Sequence, residues 1–180
     1  IGYRLVGSEM CIRDSYIRYP IENTENFITI ATTRPETMLG DTAVAVNPKD
    51  KRYKNLVSKN VILPIVEKKI KIIADNYADP EQGTGAVKIT PAHDFNDYDV
   101  GIRNKLEIIN IFTEDGKIND NAPNEYIGLD RFEARKKIIL ELKNKNLFVK
   151  DEDIKNKVPY GDRSNSIIAV SYTHLTLPTI

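Results

Sequence analysis

The sequence is poor in the residues that build metal sites and disulfide bonds. Its 180 residues include one cysteine, Cys11, and two histidines, His93 and His174. A single cysteine cannot form a disulfide within the chain, and with only two histidines beside it a four-ligand Cys/His zinc site cannot be assembled. We therefore expect a protein of a reduced compartment that is stabilised by its hydrophobic core.

An excess of charge of one sign and a long apolar run are also missing. Lysine plus arginine equals aspartate plus glutamate, at 26 each. Such a neutral chain is not a strongly basic module that holds nucleic acid by phosphate neutralisation alone. Apolar stretches such as residues 61–63 are far shorter than a membrane-spanning helix. With 41% hydrophobic and 29% charged residues, the composition predicts one globular domain.

The two ends of the chain differ in pattern from the middle. Residues 1–15 show neither a strand period nor a helix period, and residues 171–180 carry no charge. We predict that segments 1–15 and 169–180 are non-native, adapter-derived extensions. Residues 16–168 are then expected to form the domain.

The middle of the chain is rich in short β-strand patterns. Runs enriched in Ile, Val, Tyr and Thr are bounded by Pro, Gly, Asn and Asp. They predict strands over residues 16–19, 27–32, 42–46, 61–63, 70–73, 86–89 and 108–112. Helices are predicted over residues 95–105 and 131–145, each after an aspartate N-cap, Asp94 and Asp130. The pattern predicts an α+β fold with a curved or barrel-like mixed β-sheet core, closed or strongly curved, and peripheral helices.

The first polar segment covers residues 31–42 and follows a predicted strand. A proline turns the chain there, so that Thr33, Arg34 and Thr37 are expected to converge at the strand end. Hydroxyl groups, an arginine fork and backbone N–H groups suit a ribose or a phosphate. Taken alone, the segment is explained more simply as a capped turn whose threonines satisfy the local backbone.

The second polar segment covers residues 83–99 and joins a strand to a helix. Lys88 and Thr90 alternate along the strand and so point to the same side. Asp94 and Asp97 lie three residues apart at the helix start, where acidic residues are favoured as caps. Because a lysine and a threonine face the same opening, the group suits a small zwitterionic substrate that carries a hydroxyl.

Sharper enzyme signatures are missing from the sequence. A dinucleotide fingerprint would need a third glycine where Lys88 follows Gly83 and Gly85. There is no phosphate-binding P-loop and no G-x-S-x-G nucleophile motif. His93 is a candidate general base, although a lone histidine before a helix cap is more often structural.

Residues 31–48 (ATTRPETMLGDTAVAVNP) and residues 83–101 (GTGAVKITPAHDFNDYDVG), taken together, closely resemble the editing domain inserted into valyl-tRNA synthetases. The resemblance extends from about residue 16 to about residue 168. Leucyl and isoleucyl synthetases carry related insertions, but residues 38–42 and 88–90 look like the valyl type. The resemblance implies the editing-domain fold, a role in translation, a cytoplasmic location and a monomer.

The resemblance also defines what is missing. The His-x-Gly-His and Lys-Met-Ser-Lys-Ser signatures of the synthetase active site do not occur in this sequence, so it cannot form the aminoacyl adenylate. ATP and magnesium would serve the parent ligase, while the editing domain would need no cofactor and no metal. The implied partners are the 3′ end of tRNA(Val) carrying threonine and the rest of the synthetase, with no membrane.

The resemblance assigns roles to particular side chains. Asp97 would bind the α-ammonium group of the substrate, and Lys88 with Asp94 or Thr90 would read the threonine hydroxyl. The predicted catalytic residues, all charged, are Lys88, Asp94 and Asp97. The predicted substrate-binding residues, the first three of which would hold the terminal adenosine, are Thr33, Arg34, Thr37, Thr90 and His93.

The expected reaction is attack of a positioned water on the ester that links threonine to the tRNA. Asp94 and His93 both remain open as proton acceptors, and so does a reaction with no protein base. Three other functions remain open as well. They are editing of the leucyl or isoleucyl type, non-catalytic binding of a tRNA 3′ end, and a structural insertion whose Asp94 and Asp97 only cap a helix.

Overall fold

The computed structural model describes residues 12–154. The strands in this range are β1 (Ile12–Pro20), β2 (Phe27–Thr32), β3 (Ala43–Val46), β4 (Asn60–Ile62), β5 (Lys69–Ala74), β6 (Ala86–Ile89) and β7 (Phe148–Ile154). The α-helices are α1 (Phe95–Arg103) and α2 (Arg131–Asn144). Short 3₁₀ helices cover Pro35–Gly40, Lys54–Leu56 and Asn124–Tyr126.

The strands form two separate sheets. The first is antiparallel with the order β2-β1-β7, and the second has the order β4-β5-β3-β6. In the second sheet β3 runs parallel to β5 and antiparallel to β6. The predicted α+β class, with mixed sheets and few helices, is confirmed. Closure into a barrel is wrong for residues 12–154, because each of the two sheets keeps two edge strands.

A shared hydrophobic core lies between the sheets and α2. All four residues of β3 are buried, whereas β2 buries alternate residues, as expected for a strand with one face toward the core. The buried side chains that form this core include Ile17, Ile28, Ile30, Val44, Val46, Ile72, Ile138 and Leu142. Each such side chain contributes about 1.5–3 kcal/mol through burial, so the core holds the two sheets together.

One predicted strand is wrong. Residues 108–112 are rich in isoleucine, but their N–H groups bond to side chains instead of a neighbouring strand. Ile111 donates to Nε2 of His93 (3.0 Å), and Phe112 donates to Oδ1 of Asn110 (2.9 Å). A strand needs these groups for its ladder, so the segment stays irregular apart from one isolated bridge at Phe112.

Strand β7 is missing from the sequence-based prediction. Five of its seven residues are exposed, and they include four consecutive charged side chains, so no alternation marks the strand. It pairs antiparallel with β1, and across this pair the hydroxyl of Tyr16 donates to Oε2 of Glu152 (2.8 Å). Such cross-strand pairs stabilise an exposed edge strand.

Strand β1 begins at Ile12 and therefore includes residues 12–15 of the predicted extension 1–15, which pair with β7. The non-native origin of that extension stays a prediction. Residues 155–168 of the predicted domain and the predicted extension 169–180 lie outside the described residues, as do residues 1–11.

Helix α2 is fixed to the 3₁₀ helix Pro35–Gly40 by a buried ion pair. The carboxylate of Glu36 is 2% exposed and accepts from Nε and Nη2 of Arg135, both at 2.8 Å. Two parallel bonds of this kind define orientation as well as distance. The predicted N-cap of α2 is confirmed, because Asp130 accepts the N–H of Phe132 (2.9 Å).

Helix α1 lies unusually close to the loop that follows β6. The contact is at Gly101, where an added Cβ would lie 2.8 and 2.9 Å from ring atoms of Pro91. A side chain at this position would push the helix away from the loop. Glycine is therefore required here for packing, although it weakens the helix itself.

We expect Gly101→Ala to lower the free energy of unfolding by up to about 2 kcal/mol, because an overpacking cost of about 1–3 kcal/mol outweighs the ~1 kcal/mol that alanine adds to helix propensity. Urea unfolding followed by circular dichroism measures the change. Asp99→Ala, at an exposed position of α1, is the control for an alanine substitution in the same helix away from the contact with Pro91. A more stable Gly101→Ala variant would contradict the close contact with Pro91.

Candidate functional site

The two polar segments of the sequence lie against each other. Nη2 of Arg34 donates to the backbone carbonyl of His93 (2.8 Å) and to Oδ2 of Asp94 (3.4 Å). Nζ of Lys88 donates to Oγ1 of Thr37 (2.7 Å). These bonds bring the two segments into direct contact.

Lys88 is the centre of a buried polar cluster. Its side chain is 9% exposed, and its Nζ contacts Thr37 Oγ1 (2.7 Å), Thr90 Oγ1 (2.6 Å) and Asp41 Oδ1 (3.1 Å). An ammonium group has three N–H donors, and each has an acceptor here. The expectation that Lys88 and Thr90 face the same side is therefore confirmed, because the two side chains are in direct contact.

Asp41 is part of this cluster, although it was not among the predicted site residues. Its Oδ1 accepts from Lys88 and from Oγ1 of Thr90 (2.6 Å), while its Oδ2 accepts from the hydroxyl of Tyr19 (2.6 Å). Burial raises the pKa of Asp41, and the nearby Lys88 and the hydroxyl donors oppose that rise.

A sequence signal for Asp41 does exist. Asp41 is a charged residue two positions before β3, whose four residues are apolar and buried, and acidic residues are rarely buried unless they are paired. Tyr19 has no such signal. On β1 it lies two residues after Ile17 and therefore on the same face of the strand, as expected for a core tyrosine. Only the structure shows where its hydroxyl is bound.

Asp97 lies beside the lysine cluster and is 6% exposed. Its Oδ2 accepts the backbone N–H of Thr90 (2.9 Å). Burial raises the pKa of Asp97 to about 6, and the negative charges of Asp94 and Asp41 act in the same direction, whereas Lys88 and the Thr90 N–H oppose them. This carboxyl group therefore changes charge close to neutral pH.

Asp94 has both of its carboxylate oxygens engaged. Oδ1 accepts the N–H groups of Asn96 (2.9 Å) and Asp97 (3.2 Å), and Oδ2 lies 3.4 Å from Nη2 of Arg34. The predicted N-cap is thus confirmed. The side chain stays 38% exposed, and its catalytic role stays a prediction.

Tyr77 is a third residue that sequence reasoning missed, after Asp41 and Tyr19. Its phenol interacts with Asp97, and burial together with the charges of Asp97 and Asp94 raises its pKa. The backbone there is held by Asp75, whose Oδ1 accepts the Tyr77 N–H (2.9 Å). Asp75 is in turn bound by Nε and Nη2 of Arg103 (2.8 and 2.6 Å). Arg103, at the end of α1, therefore holds Asp75 in place, and Asp75 in turn holds the backbone of Tyr77 beside Asp97.

The predicted substrate-binding residues differ in depth. Thr33 is partly exposed, and the side chain of Arg34 is 34% exposed, so both can reach a ligand at the surface. Thr37 and Thr90 are each 1% exposed. Thr37 donates to the carbonyl of Arg34 (2.9 Å) as well as contacting Lys88, which makes it part of the buried cluster and not an exposed contact for adenosine.

The predicted role of His93 in substrate binding stays a prediction, and the surroundings of the residue are those of a core side chain. The residue is fully buried, its Nε2 accepts the N–H of Ile111 (3.0 Å), and its ring meets the edge of Phe112 at 4.7 Å between centroids. The geometry favours the structural interpretation of this histidine.

Residues 12–154 contain neither a cluster of metal-ligating side chains nor a membrane-spanning helix. No three or more His, Cys, Asp or Glu side chains in this range are grouped so that they could hold a metal ion. Neither of its α-helices has the length and apolar character needed to cross a membrane.

Comparison with known proteins gives close sequence relatives. A valine–tRNA ligase of Pelagibacter ubique is 79% identical over 153 residues, which is 85% of this chain and 18% of that protein. Valine–tRNA ligases of Petrotoga mobilis and Carboxydothermus hydrogenoformans are each 56% identical over 153 residues, or 85% of this chain and 17% of each protein. The chain thus spans about a fifth of the length of these relatives.

A family model described as the leucyl-tRNA synthetase editing domain matches residues 54–128. Among solved structures, a ternary complex of Agrobacterium radiobacter K84 agnB2 LeuRS with tRNA and LeuAMS has a TM-score of 0.63 at 20% identity, covering 82% of this chain and 21% of that one. The structure of GlLeuRS-CP1 has a TM-score of 0.60 at 14% identity, covering 81% of this chain and all of that one. At these identities the likeness concerns the fold.

The fold is that of these two LeuRS structures, and residues 54–128 match the model of the leucyl-tRNA synthetase editing domain. Among aminoacyl-tRNA synthetases, the sequence identity is to the valine enzymes. Over 153 residues the chain is similar to segments of the valine–tRNA ligases of Pelagibacter ubique and Petrotoga mobilis.

The raised pKa of Asp97 predicts a pH dependence of stability. Its folded-state pKa of about 6 lies above the ordinary 3.8. The folded state therefore binds the proton more tightly, and this contribution is present below pH ~4 and lost as pH rises through 6. We expect the wild type to lose about 2–3 kcal/mol relative to Asp97→Asn between pH 4 and pH 7.

Urea unfolding of both proteins at pH 4, 5, 6 and 7 measures this difference. The asparagine keeps an acceptor for the Thr90 N–H, so the packing of the loop is matched in the two proteins. Parallel stability profiles would show that Asp97 titrates at its ordinary pKa and that its burial has no electrostatic consequence.

Proposed function

We propose that the chain hydrolyses the ester between threonine and the 3′ end of tRNA(Val), as the proofreading part of a cytoplasmic valine–tRNA ligase. The observation that carries the proposal is the single cluster in which Lys88, Thr90 and Asp97 meet, within a sequence 79% identical to a valine–tRNA ligase. Synthesis of the aminoacyl-tRNA, with ATP and magnesium, would belong to other parts of the full-length ligase.

The need for a second site follows from the chemistry of the two amino acids. Threonine and valine have almost the same shape, and an apolar pocket made for valine rejects a hydroxyl only weakly. Valyl-tRNA synthetase is itself the standard example of this limit, with discrimination on the order of 10². A polar site reverses the preference, because a valine methyl would leave buried donors and acceptors unpaired.

The proposed substrate contacts fall into two groups, one made by buried side chains and one made by partly exposed side chains. Asp97, partly ionised near neutral pH, would bind the α-ammonium group. The buried cluster of Lys88 and Thr90 would receive the side-chain hydroxyl. Thr33 and Arg34, which are partly exposed, would contact the terminal adenosine or its phosphate.

The proposed reaction is addition of water to the ester carbonyl. A new C–O bond forms from the water oxygen, the bond to the ribose oxygen breaks, and that oxygen takes up a proton from the water. Threonine and the intact tRNA are released. An aminoacyl ester is already activated, so holding water and carbonyl in place supplies much of the acceleration. Asp94, whose side chain is 38% exposed, and His93 are the two candidate proton acceptors, and a reaction without a protein base is the third possibility.

Two other functions agree with parts of the same observations. The family model and the solved structures are of leucyl type, which suits editing for another amino acid, but the 79% identity favours valine. A module that binds the tRNA end without turnover would use the same contacts. Turnover and substrate preference distinguish these alternatives from the proposed activity.

We expect the chain to deacylate threonyl-tRNA(Val) faster than valyl-tRNA(Val), and Asp97→Ala to reduce the threonyl rate by a factor of ~100 or more. Loss of a charged hydrogen-bonding group that holds the ammonium accounts for a change of that size. Release of radiolabelled amino acid measures both rates, and circular dichroism checks folding.

Asp99→Ala is the matched control, since it removes an exposed carboxylate from the same helix, and it should keep the wild-type rate. A folded Asp97→Ala variant with full activity would remove Asp97 from the site. Binding of tRNA without any release of threonine would instead support the non-catalytic module.

A further inference from the structure

Asp75 is a buried carboxylate with a donor at each of its lone pairs. It follows β5 directly and is 8% exposed. Its Oδ1 accepts from Nη2 of Arg103 (2.6 Å) and from the N–H of Tyr77 (2.9 Å), and its Oδ2 accepts from Nε of Arg103 (2.8 Å) and from Nδ2 of Asn104 (2.9 Å). Hydrogen bonding from Arg103 is the largest cause that lowers the pKa of Asp75 to about 2. An ionised carboxylate has about four lone-pair sites, so none is left for a substrate.

Arg103 and Asn104 join Asp75 to the C-terminal end of α1. Arg103 is the last residue of the helix, and Asn104 is its C-cap. Asp75 in turn belongs to the edge of the second sheet, because its N–H donates to the carbonyl of Val46 at the end of β3 (2.9 Å). Two parallel bonds from a guanidinium group define orientation as well as distance. The carboxylate therefore fixes the direction of α1 relative to the sheet.

The first turn of the same helix carries Asp97. Asp97 lies six residues before Arg103, which is about 9 Å along the helix axis. Its Oδ2 accepts the N–H of Thr90 (2.9 Å), at the end of β6. A helix of nine residues moves as one body over such a distance. The anchor at the last turn therefore also sets how deeply the Asp97 carboxylate is buried.

A second connection runs from Asp75 to Asp97 through the turn after β5. The bond from the Tyr77 N–H to Asp75 holds this turn. Ala78 is fully buried, and its carbonyl accepts from Nδ2 of Asn47 (2.9 Å). The phenol of Tyr77 interacts with Asp97. Both connections from Asp75 thus end at the same carboxylate.

We propose that Asp75 is a positioning residue for Asp97, because it fixes α1 through Arg103 and the neighbouring turn through Tyr77. It thereby holds Asp97 at the depth at which an ammonium group can be bound. The consequence for hydrolysis rests on the function proposed above, whereas the placement of Asp97 does not.

The pKa of Asp97 reports how deeply its carboxylate is buried. Burial is the largest cause of the raised pKa of about 6. If α1 or the turn loosens, water reaches the carboxylate and the pKa falls toward the ordinary 3.8. The other charged or titratable groups that face this carboxylate, all of which stay unchanged in the test, are Lys88, Asp94, Asp41 and Tyr77.

Two substitutions separate positioning from a direct effect of charge. Asp75→Asn removes a negative charge and places amide donors against the donors of Arg103. Arg103→Gln removes a positive charge and the guanidinium fork. A direct effect of charge would lower the pKa of Asp97 in the first variant and raise it in the second. Loss of positioning lowers it in both.

Asp50→Asn and Arg52→Gln are the matched controls. Asp50 is 7% exposed, and its carboxylate accepts from Nε and Nη2 of Arg52 (3.0 and 2.7 Å). The side chains of Arg52 and Arg103 are 54% and 50% exposed, so the two ion pairs are alike in depth. The control pair, however, joins two residues of one turn instead of joining a helix to a sheet.

The pKa of Asp97 is measured by NMR titration of the carbon-13-labelled carboxyl groups in the full chain, with Asp97→Asn to assign the signal. We expect the pKa to fall by ~0.5 or more in Asp75→Asn and in Arg103→Gln, and to stay unchanged in both controls.

Deacylation of threonyl-tRNA(Val) by the same proteins is followed in parallel. We expect kcat/KM to fall about tenfold in Asp75→Asn and in Arg103→Gln, because a misplacement of ~1 Å at a binding group can cost up to ~10²-fold. The controls should keep the wild-type value.

The outcomes separate the two proposals. A pKa of Asp97 that rises in Arg103→Gln, that stays unchanged in both variants, or that falls equally in the controls overturns the role of Asp75 and leaves the proposed function intact. A fall in both variants together with full deacylation overturns the consequence for hydrolysis. A fall in both variants without any deacylation by the wild type overturns the proposed function and supports the positioning role.

Arg103→Gln keeps the test decisive if Asp75→Asn does not fold. The Arg103 side chain is 50% exposed, so its replacement leaves no cavity in the core. Positioning and charge predict shifts of opposite sign for this variant, and the direction of the shift alone decides between them.

Discussion

The ion pair between Lys88 and Asp41 is the interaction on which the rest of the site depends. Removing two charges from water costs several kcal/mol for each ion, and their mutual attraction repays this only if every remaining donor and acceptor is paired. Tyr19, Thr37 and Thr90 supply the missing partners. Since these residues come from the first sheet, the 3₁₀ helix and the end of β6, the pair also joins the main elements.

The site has a buried layer and an exposed layer. The buried layer is the cluster around Lys88, in which every donor has an acceptor. Such a layer suits discrimination between side chains that differ by one hydrogen-bonding group. The exposed layer is formed by Arg34 and Asp94, whose side chains are partly exposed and suit contacts with a larger ligand. Asp97 lies between the layers, bonded to Thr90 below and titrating near neutral pH.

Local patterns predicted the elements whose energetics are local. The N-caps Asp94 and Asp130 depend on one side chain and the following turn, and both form as expected. Residues 108–112 have strand composition, but the side chains of His93 and Asn110 take their N–H groups. Strand β7 is the converse, because it forms a strand although its residues do not have strand composition. An exposed edge strand is held by pairing with its neighbour, and the pattern of its own residues does not show which strand that neighbour is.

The sequence by itself determined the class of fold, the chemical types of residue in the two polar segments and the resemblance that they carry. Only the tertiary structure decided the depth of each side chain. His93 is covered by Phe112, Asp97 is buried without losing its place in the site, and Asp41 and Tyr19 join the lysine cluster. Burial depends on which distant residues pack above a position, and hydrogen-bond direction depends on every partner at once, so neither is written in a local pattern.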